Sequence, residues 1–279
     1  MTVKIVTDSV ADLPSQVVQE LGITVVPLHI RFGTDVYRDG IDLTADRFYD
    51  MLVREKAMPV TSVPSPGAFA ETYNKLSEET DEILVITLTS KLSGTYDVAL
   101  QSIGLMEKKC RVEVIDSQRA AMAQGFLVMA AARAGQAGAS FDEVLDIVHK
   151  NIPRADMRAA FDSLEYLRRG GRIGKAAFFL GSKLKFNPII GLKDGEVIGM
   201  GRPRSRAKAI DYLYNFVMSY SNIDEIAIEY ATALDEAEML AERLNSRFPK
   251  ERIYRTRASP VVGTHTGPSC LVVSVLGDR

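Results

Sequence analysis

The sequence predicts an α/β fold in two domains: residues 1–153 with a mainly parallel sheet flanked by helices, and residues 154–279 with an α+β arrangement. Three observations carry that prediction. Short apolar runs alternate with helical periodicities through the first half, the order expected of β–α–β units. Three of those runs end in small polar residues just ahead of a helix, at Asp8-Ser9, Ser90 to Thr95 and Asp116-Ser117, which is how a parallel sheet builds one polar rim at its carboxyl edge. The pattern breaks at Pro153, and an Asp194-Gly195 pair, a strong hairpin signal, follows in the second half.

Taken in order, Val3 to Thr7 (VKIVT) is a strand that breaks at Asp8-Ser9, and a helix runs from about Pro14, suited to the first helical position, to Gly22. Ile23 to Phe32 is too apolar and β-branched for a surface helix, and Gly33-Thr34 with Asp39-Gly40 predicts a hairpin-like excursion. Thr44 caps a helix over Ala45 to Glu55. Prolines crowd Met58 to Pro66 (MPVTSVPSP) and force an extended or turned path before helical periodicity resumes over Gly67 to Glu78. Glu82 to Thr87 (EILVIT) is the clearest buried strand. It passes through TLTSKLSGTY into a helix with apolar spacing at Tyr96, Leu100, Ile103 and Leu105.

Arg111 to Ile115 is the next strand and Ala120 to Ala134 an Ala/Met-rich helix, after which Ser140 caps Phe141 to Asn151. Met157 to Phe161 opens the second domain as a strand. Leu164 to Lys175 (LEYLRRGGRIGK) begins helically, ends in a glycine-rich basic turn and leads into the apolar stretch Ala176 to Leu184. Pro188 to Leu192 and Val197 to Met200 flank the Asp-Gly turn. Helices over Arg204 to Tyr220 and Leu234 to Phe248 alternate with strands over Glu225 to Tyr230 and Arg252 to Arg257, and a loop, VVGTHTGPS, precedes the final strand, Leu271 to Leu276.

A formal charge of -2 with 25% charged residues gives no electrostatic case for nucleic acid or a membrane surface as partner. Cys110 and Cys270 match no metal-binding or redox spacing, which fits a reducing compartment. The Met1 end lacks signal-peptide character, and no run approaches the roughly 20 apolar residues that span a bilayer. The expected location is cytoplasmic.

The turn at Ser90 to Thr95 sits at a strand's carboxyl end and a helix start, so it is either an anion site or a plain cap by Ser93 with Gly94 easing the turn. Gly170 to Lys175 is one residue short of a P-loop, lacks the following Ser/Thr and follows no apolar strand, so nucleotide binding is not expected there. Among the histidines, His29 falls in an apolar strand and His149 near a helix end, whereas His265 lies between Thr264 and Thr266 in a loop able to reach a cleft. No cluster has metal-ligand spacing, and no metal or cofactor is expected. Ser93 and His265 with Asp8 or Asp116 form a hydrolytic alternative, weakened by the lack of a GxSxG elbow.

Six motifs in order, TDSVADL (Thr7 to Leu13), TSVPSP (Thr61 to Pro66), LSGTY (Leu92 to Tyr96), IDS (Ile115 to Ser117), SLEYLRRGGRIG (Ser163 to Gly174) and GTHTGPS (Gly263 to Ser269), give the chain a resemblance to the DegV family over essentially its whole length. Ser269 stands where the family's last motif often carries glycine. The resemblance implies two α/β domains with one long-chain, palmitate-like fatty acid between them, its carboxylate held by Thr61, Ser62, Ser93, Gly94, Thr95 and His265. It implies that Arg172 holds or shields the headgroup, and that a separate fatty acid kinase converts the held carboxylate to an acyl phosphate while this protein does no chemistry. Arg202, Arg204, Arg206 and Lys208 are either a docking face for that kinase or a plain solvated helix start, and basic residues at a helix start, opposed to the helix dipole, favour the first. A serine hydrolase or acyl-transfer enzyme using Ser93 and His265 is the alternative.

Overall fold

In the computed structural model, which describes residues 3–54, 58–181 and 186–279, the first half builds β1 (Lys4–Asp8), α1 (Ser15–Glu20), β2 (Thr24–Val26), β3 (His29–Phe32), β4 (Asp35–Arg38), α2 (Ala45–Arg54), β5 (Val60–Ser62) and α3 (Pro66–Ser77). It continues with β6 (Glu82–Thr87), α4 (Thr95–Ser102), β7 (Arg111–Asp116), α5 (Ala121–Gln136) and α6 (Phe141–Asn151). The second half holds β8 (Ala155–Ala160), α7 (Glu165–Arg169), β9 (Ile189–Lys193), β10 (Glu196–Gly201), α8 (Arg206–Met218), β11 (Asn222–Tyr230), α9 (Leu234–Leu244), β12 (Ile253–Arg257), α10 (Pro260–Thr266) and β13 (Leu271–Asp278). Glu55 and the end of the Ala176 to Leu184 stretch lie outside the described residues; Gly174 to Gly181 forms 3-10 turns.

Four strands, in the order β2-β1-β6-β7, make a parallel sheet. Strand alternation divides its side chains between two helical layers. Ile5, Leu84 and Ile86 pack with Met122, Phe126 and Val144 of α5 and α6, while Val6, Ile83 and Val85 pack with Phe69, Tyr73 and Ala99 of α3 and α4. The six-stranded sheet, β10-β9-β8-β13-β11-β12, is antiparallel except for the β11–β12 pair. One face is covered by α8 and α9. The apolar face of α5 meets Ala155, Ala227 and Leu276 on the other side, so this helix is buried between the two sheets.

A third, small antiparallel sheet, β4-β3-β5, carries the hairpin foreseen at Gly33-Thr34. The run Ile23 to Phe32 therefore serves two sheets: β2 joins the parallel one, Pro27 interrupts, and β3 joins the small one. At Asp194-Gly195 both residues have positive φ (51° and 78°), the geometry of a tight hairpin turn. Its tip touches the other half, because Thr89 Oγ1 donates to the Gly195 carbonyl at 3.1 Å. The Ser140 cap is a full capping box with Glu143.

Three local expectations are corrected. The helix after Leu92 is capped by Gly94, not by Ser93. The VVGTHTGPS segment is not a loop throughout: Ser259 caps α10, with Pro260 at its first position and His265 in its last turn. The helix expected from Arg204 starts at Arg206, because Ser205 accepts from the Lys208 N–H and caps it there.

Candidate functional site

A cavity opens between the carboxyl edge of the parallel sheet and one face of the six-stranded sheet, with about 820 Å³ of atom-free space counted out through its mouth, open solvent included. Its sheet wall follows from strand alternation: Ile190, Ala159 and Val272 stand in one row across β9, β8 and β13, with Met157, Phe161 and Leu192 beside them. Val10, Leu28, Leu88 and Leu92 close the opposite side. The lining is overwhelmingly apolar. Thr61, Ser93, Arg172, His265 and Thr266 supply its polar side chains.

Thr61, His265, Arg172 and Ser93 lie close to one another. His265 Nε2 and Thr61 Oγ1 are 2.8 Å apart, and burial, with the nearby Arg172 charge second, holds the imidazole down to about 4, so it is neutral at pH 7. Arg172 is anchored by two carbonyls: Nε donates to Leu92 at 3.1 Å and Nη1 to Gly170 at 2.7 Å. The first of these bonds brings the guanidinium against the LSGT turn, where Ser93 Oγ lies 2.8 Å from Thr95 Oγ1 and accepts from the Thr95 N–H at 3.3 Å.

Of the residues expected to bind ligand, the fold gathers Thr61, Ser93, Arg172 and His265 around the cavity. Ser62 points the other way, since one step along β5 moves a side chain to the opposite face, and it is exposed. Thr95 is fully buried behind Ser93, and its hydroxyl is taken up in fixing that serine. Gly94 is exposed at the helix start, with open space where a side chain would stand. Thr266 was not foreseen. Its hydroxyl donates to the Val262 carbonyl at 2.9 Å, and the Ser259-Pro260 start signal was the clue that α10 would carry it to the cavity.

The hydrolytic alternative finds no triad. His265 meets Thr61 rather than Ser93, and its Nδ1 is buried without a hydrogen-bond partner, so no carboxylate orients it. Asp8 accepts from Val10 and Leu88 N–H groups at 3.0 and 2.7 Å, and Asp116 from Ser90 and Gln118 N–H groups at 3.2 and 2.8 Å. The rim carboxylates tie loops to strand ends. Among the described residues no group of three or more His, Cys, Asp and Glu could hold a metal ion, and no helix is long and apolar enough to cross a membrane.

The basic run behaves unevenly. Arg206 is paired with Glu236 at 2.6 Å, both side chains about one-fifth exposed. Arg202 is exposed, and its guanidinium sits 4.6 Å from the Phe179 ring centre, with Phe178 and Phe186 at 5.2 and 5.7 Å. Arg204 and Lys208 are exposed.

The family model for uncharacterised proteins of the DegV family matches residues 2–278. A DegV domain-containing protein of Caldanaerobacter subterraneus is 38% identical over 270 residues, covering 95% of each chain. Among solved structures, a fatty-acid-binding DegV family protein from Thermus thermophilus superposes with a TM-score of 0.91 at 33% identity, covering 99% of this chain and all of that one. A stearic acid-binding protein from Eubacterium ventriosum superposes with a TM-score of 0.88 at 27% identity, with 98% of each chain covered. The family model spans all but the ends of the sequence, the fold superposes on those relatives along nearly its full length, and the chain belongs to the DegV family.

Proposed function

We propose that this protein binds one long-chain fatty acid in the cavity, its tail against the sheet wall and its carboxylate among Thr61, Ser93, Arg172 and His265, and presents that carboxylate to a separate kinase for acyl phosphate formation. The protein itself does no chemistry on this reading. The observation that carries it is the division of the cavity into an extended apolar wall and one polar cluster that, among the described residues, contains a single cation, Arg172. A neutral His265 leaves that cation to match one anionic headgroup. Burying about 14 methylenes at about 0.8 kcal/mol each gives roughly 11 kcal/mol before ordering costs, so the tail supplies affinity and the headgroup supplies orientation. The fatty-acid-binding relatives from Thermus and Eubacterium support the ligand class.

On the same reading residues 1–153 and 154–279 are the two domains whose junction houses the tail, the location is cytoplasmic, and Arg202, Arg204 and Lys208 present the face that meets the kinase. Denaturing mass spectrometry of an organic extract from the purified protein tests the ligand. A long-chain fatty acid at near one equivalent is expected; a protein that neither co-purifies with nor takes up fatty acid is not this carrier.

A further inference from the structure

We propose that Gly170, the first glycine of the RRGG turn, is the positioning residue of the headgroup cluster: its missing side chain seats the His265 ring, and its carbonyl holds Arg172. The inference rests on the fatty-acid reading above for its ligand, but its geometry stands apart from it. Gly170 ends α7 with φ -74°, a conformation open to any residue, so the backbone does not call for glycine. The demand comes from packing. A Cβ at Gly170 would fall 2.3 Å from His265 Nδ1 and 3.0 Å from Cε1, where no side chain fits without displacing the imidazole. The helix-end backbone is thus the wall against which the closed side of the ring rests.

That wall decides what the ring can do. Nδ1 is buried and meets no hydrogen-bond partner, while Nε2 lies 2.8 Å from Thr61 Oγ1. A buried N–H left unpaired is rarer and costlier than an acceptor left unpaired, so the neutral ring carries its proton on Nε2. Nε2–H then donates to Thr61 Oγ1, and the Thr61 hydroxyl proton is free to donate to a carboxylate in the cavity. Meanwhile the Gly170 carbonyl accepts from Arg172 Nη1 at 2.7 Å. One residue therefore sets both a neutral donor chain and a cation on the same anion. Its neighbour in the packing has the same character: Gly267, at φ 76°, stands where a Cβ would reach within 2.3 Å of the Tyr166 ring, so α7 and α10 approach through two glycines.

The experiment is nitrogen-15 NMR of the imidazole in the ligand-free protein, combined with fatty-acid affinity for Gly170→Ala, His265→Ala and the double variant. The Nε2–H tautomer is expected for His265 in the unsubstituted protein, and an Nδ1–H tautomer would overturn the proposal without any variant having to fold. Gly170→Ala should move the His265 resonances, let the ring titrate nearer its ordinary range and lower fatty-acid affinity by roughly tenfold or more, the size of one lost bond to a charged group. On the His265→Ala background, where the added methyl has room, Gly170→Ala should cost less than about twofold; an undiminished loss there would show that Gly170 does not act through His265. Absence of fatty-acid binding by the unsubstituted protein would remove the functional reading, yet leave the tautomer result to judge this one.

Discussion

Thr61 and Ser62 are adjacent, equally hydroxylated and both part of the TS motif, yet only Thr61 reaches the cavity. Thr61 pairs in register with Ile30, which is fully buried, so it shares the inward face of the small sheet; Ser62 pairs with His29 and faces out. Thr61→Val, which keeps the shape and removes the hydroxyl, should weaken fatty-acid binding by roughly tenfold, the worth of about one hydrogen bond to a charged group. Ser62→Ala should change it by less than about twofold. Equilibrium competition with a fluorescent fatty acid separates the two, and equal losses would mean that both hydroxyls meet the ligand. The motif made the pair legible as a unit but could not choose between its members, because the choice belongs to strand register, set by Ile30 and His29 on a strand more than a full helix earlier in the chain. The same holds for Thr95: its hydroxyl was visible, but its service to Ser93 depends on a turn geometry that spacing does not specify.

At the scale of elements, the parallel sheet and its helices follow closely from apolar runs and caps, because each such element buries its own periodic face. What was not legible has tertiary causes. The run Ile23 to Phe32 reads as one strand, whereas Pro27 divides it between two sheets, and α10 is hidden by a glycine and two threonines whose helical state is supported by the Ser259 cap and by burial of Val261 against the cavity. The start of α8 gives the sharpest contrast between charge and role. Arg206 sits in the basic run but is bound to Glu236, so Arg206→Glu should destabilise the fold by roughly 1–3 kcal/mol by placing two half-buried carboxylates together. Arg204→Glu with Lys208→Glu alters only exposed positions. That pair should leave the melting temperature within about 2 °C while weakening the complex with a fatty acid kinase catalytic subunit in sedimentation. An unaltered complex would move the docking face elsewhere.

Across the whole molecule, the two sheets meet over a group of buried acids that the cavity does not use. Burial pushes Asp8 up to about 6 and Asp39 to about 7, and it raises Glu229 and Asp12 as well, Asp12 further through the Glu229 charge. Glu229 extends the cavity's strand row, opposite Val272, and accepts from the Met122 N–H at the start of α5 and from the Ser274 hydroxyl; Asp12 reaches the Ser259 N–H that begins α10. These carboxyls are therefore placed between the halves and at the root of the element that carries His265. Acids with raised values in the folded state contribute stability that is complete below their unfolded range near pH 4 and is lost as pH rises through the folded value. His265, depressed to about 4, acts in the opposite sense: its contribution grows from there and is complete by about pH 6.5. The two effects oppose each other at acid pH, and above about pH 6.5 only the acids still titrate. Stability should then fall between about pH 6.5 and about pH 8, by roughly 1 kcal/mol for each acid near 7 and so by several degrees in melting temperature. Asp39→Asn, which keeps the shape and removes the titration, should flatten that slope in scanning calorimetry; an unchanged slope would show that Asp39 does not drive it.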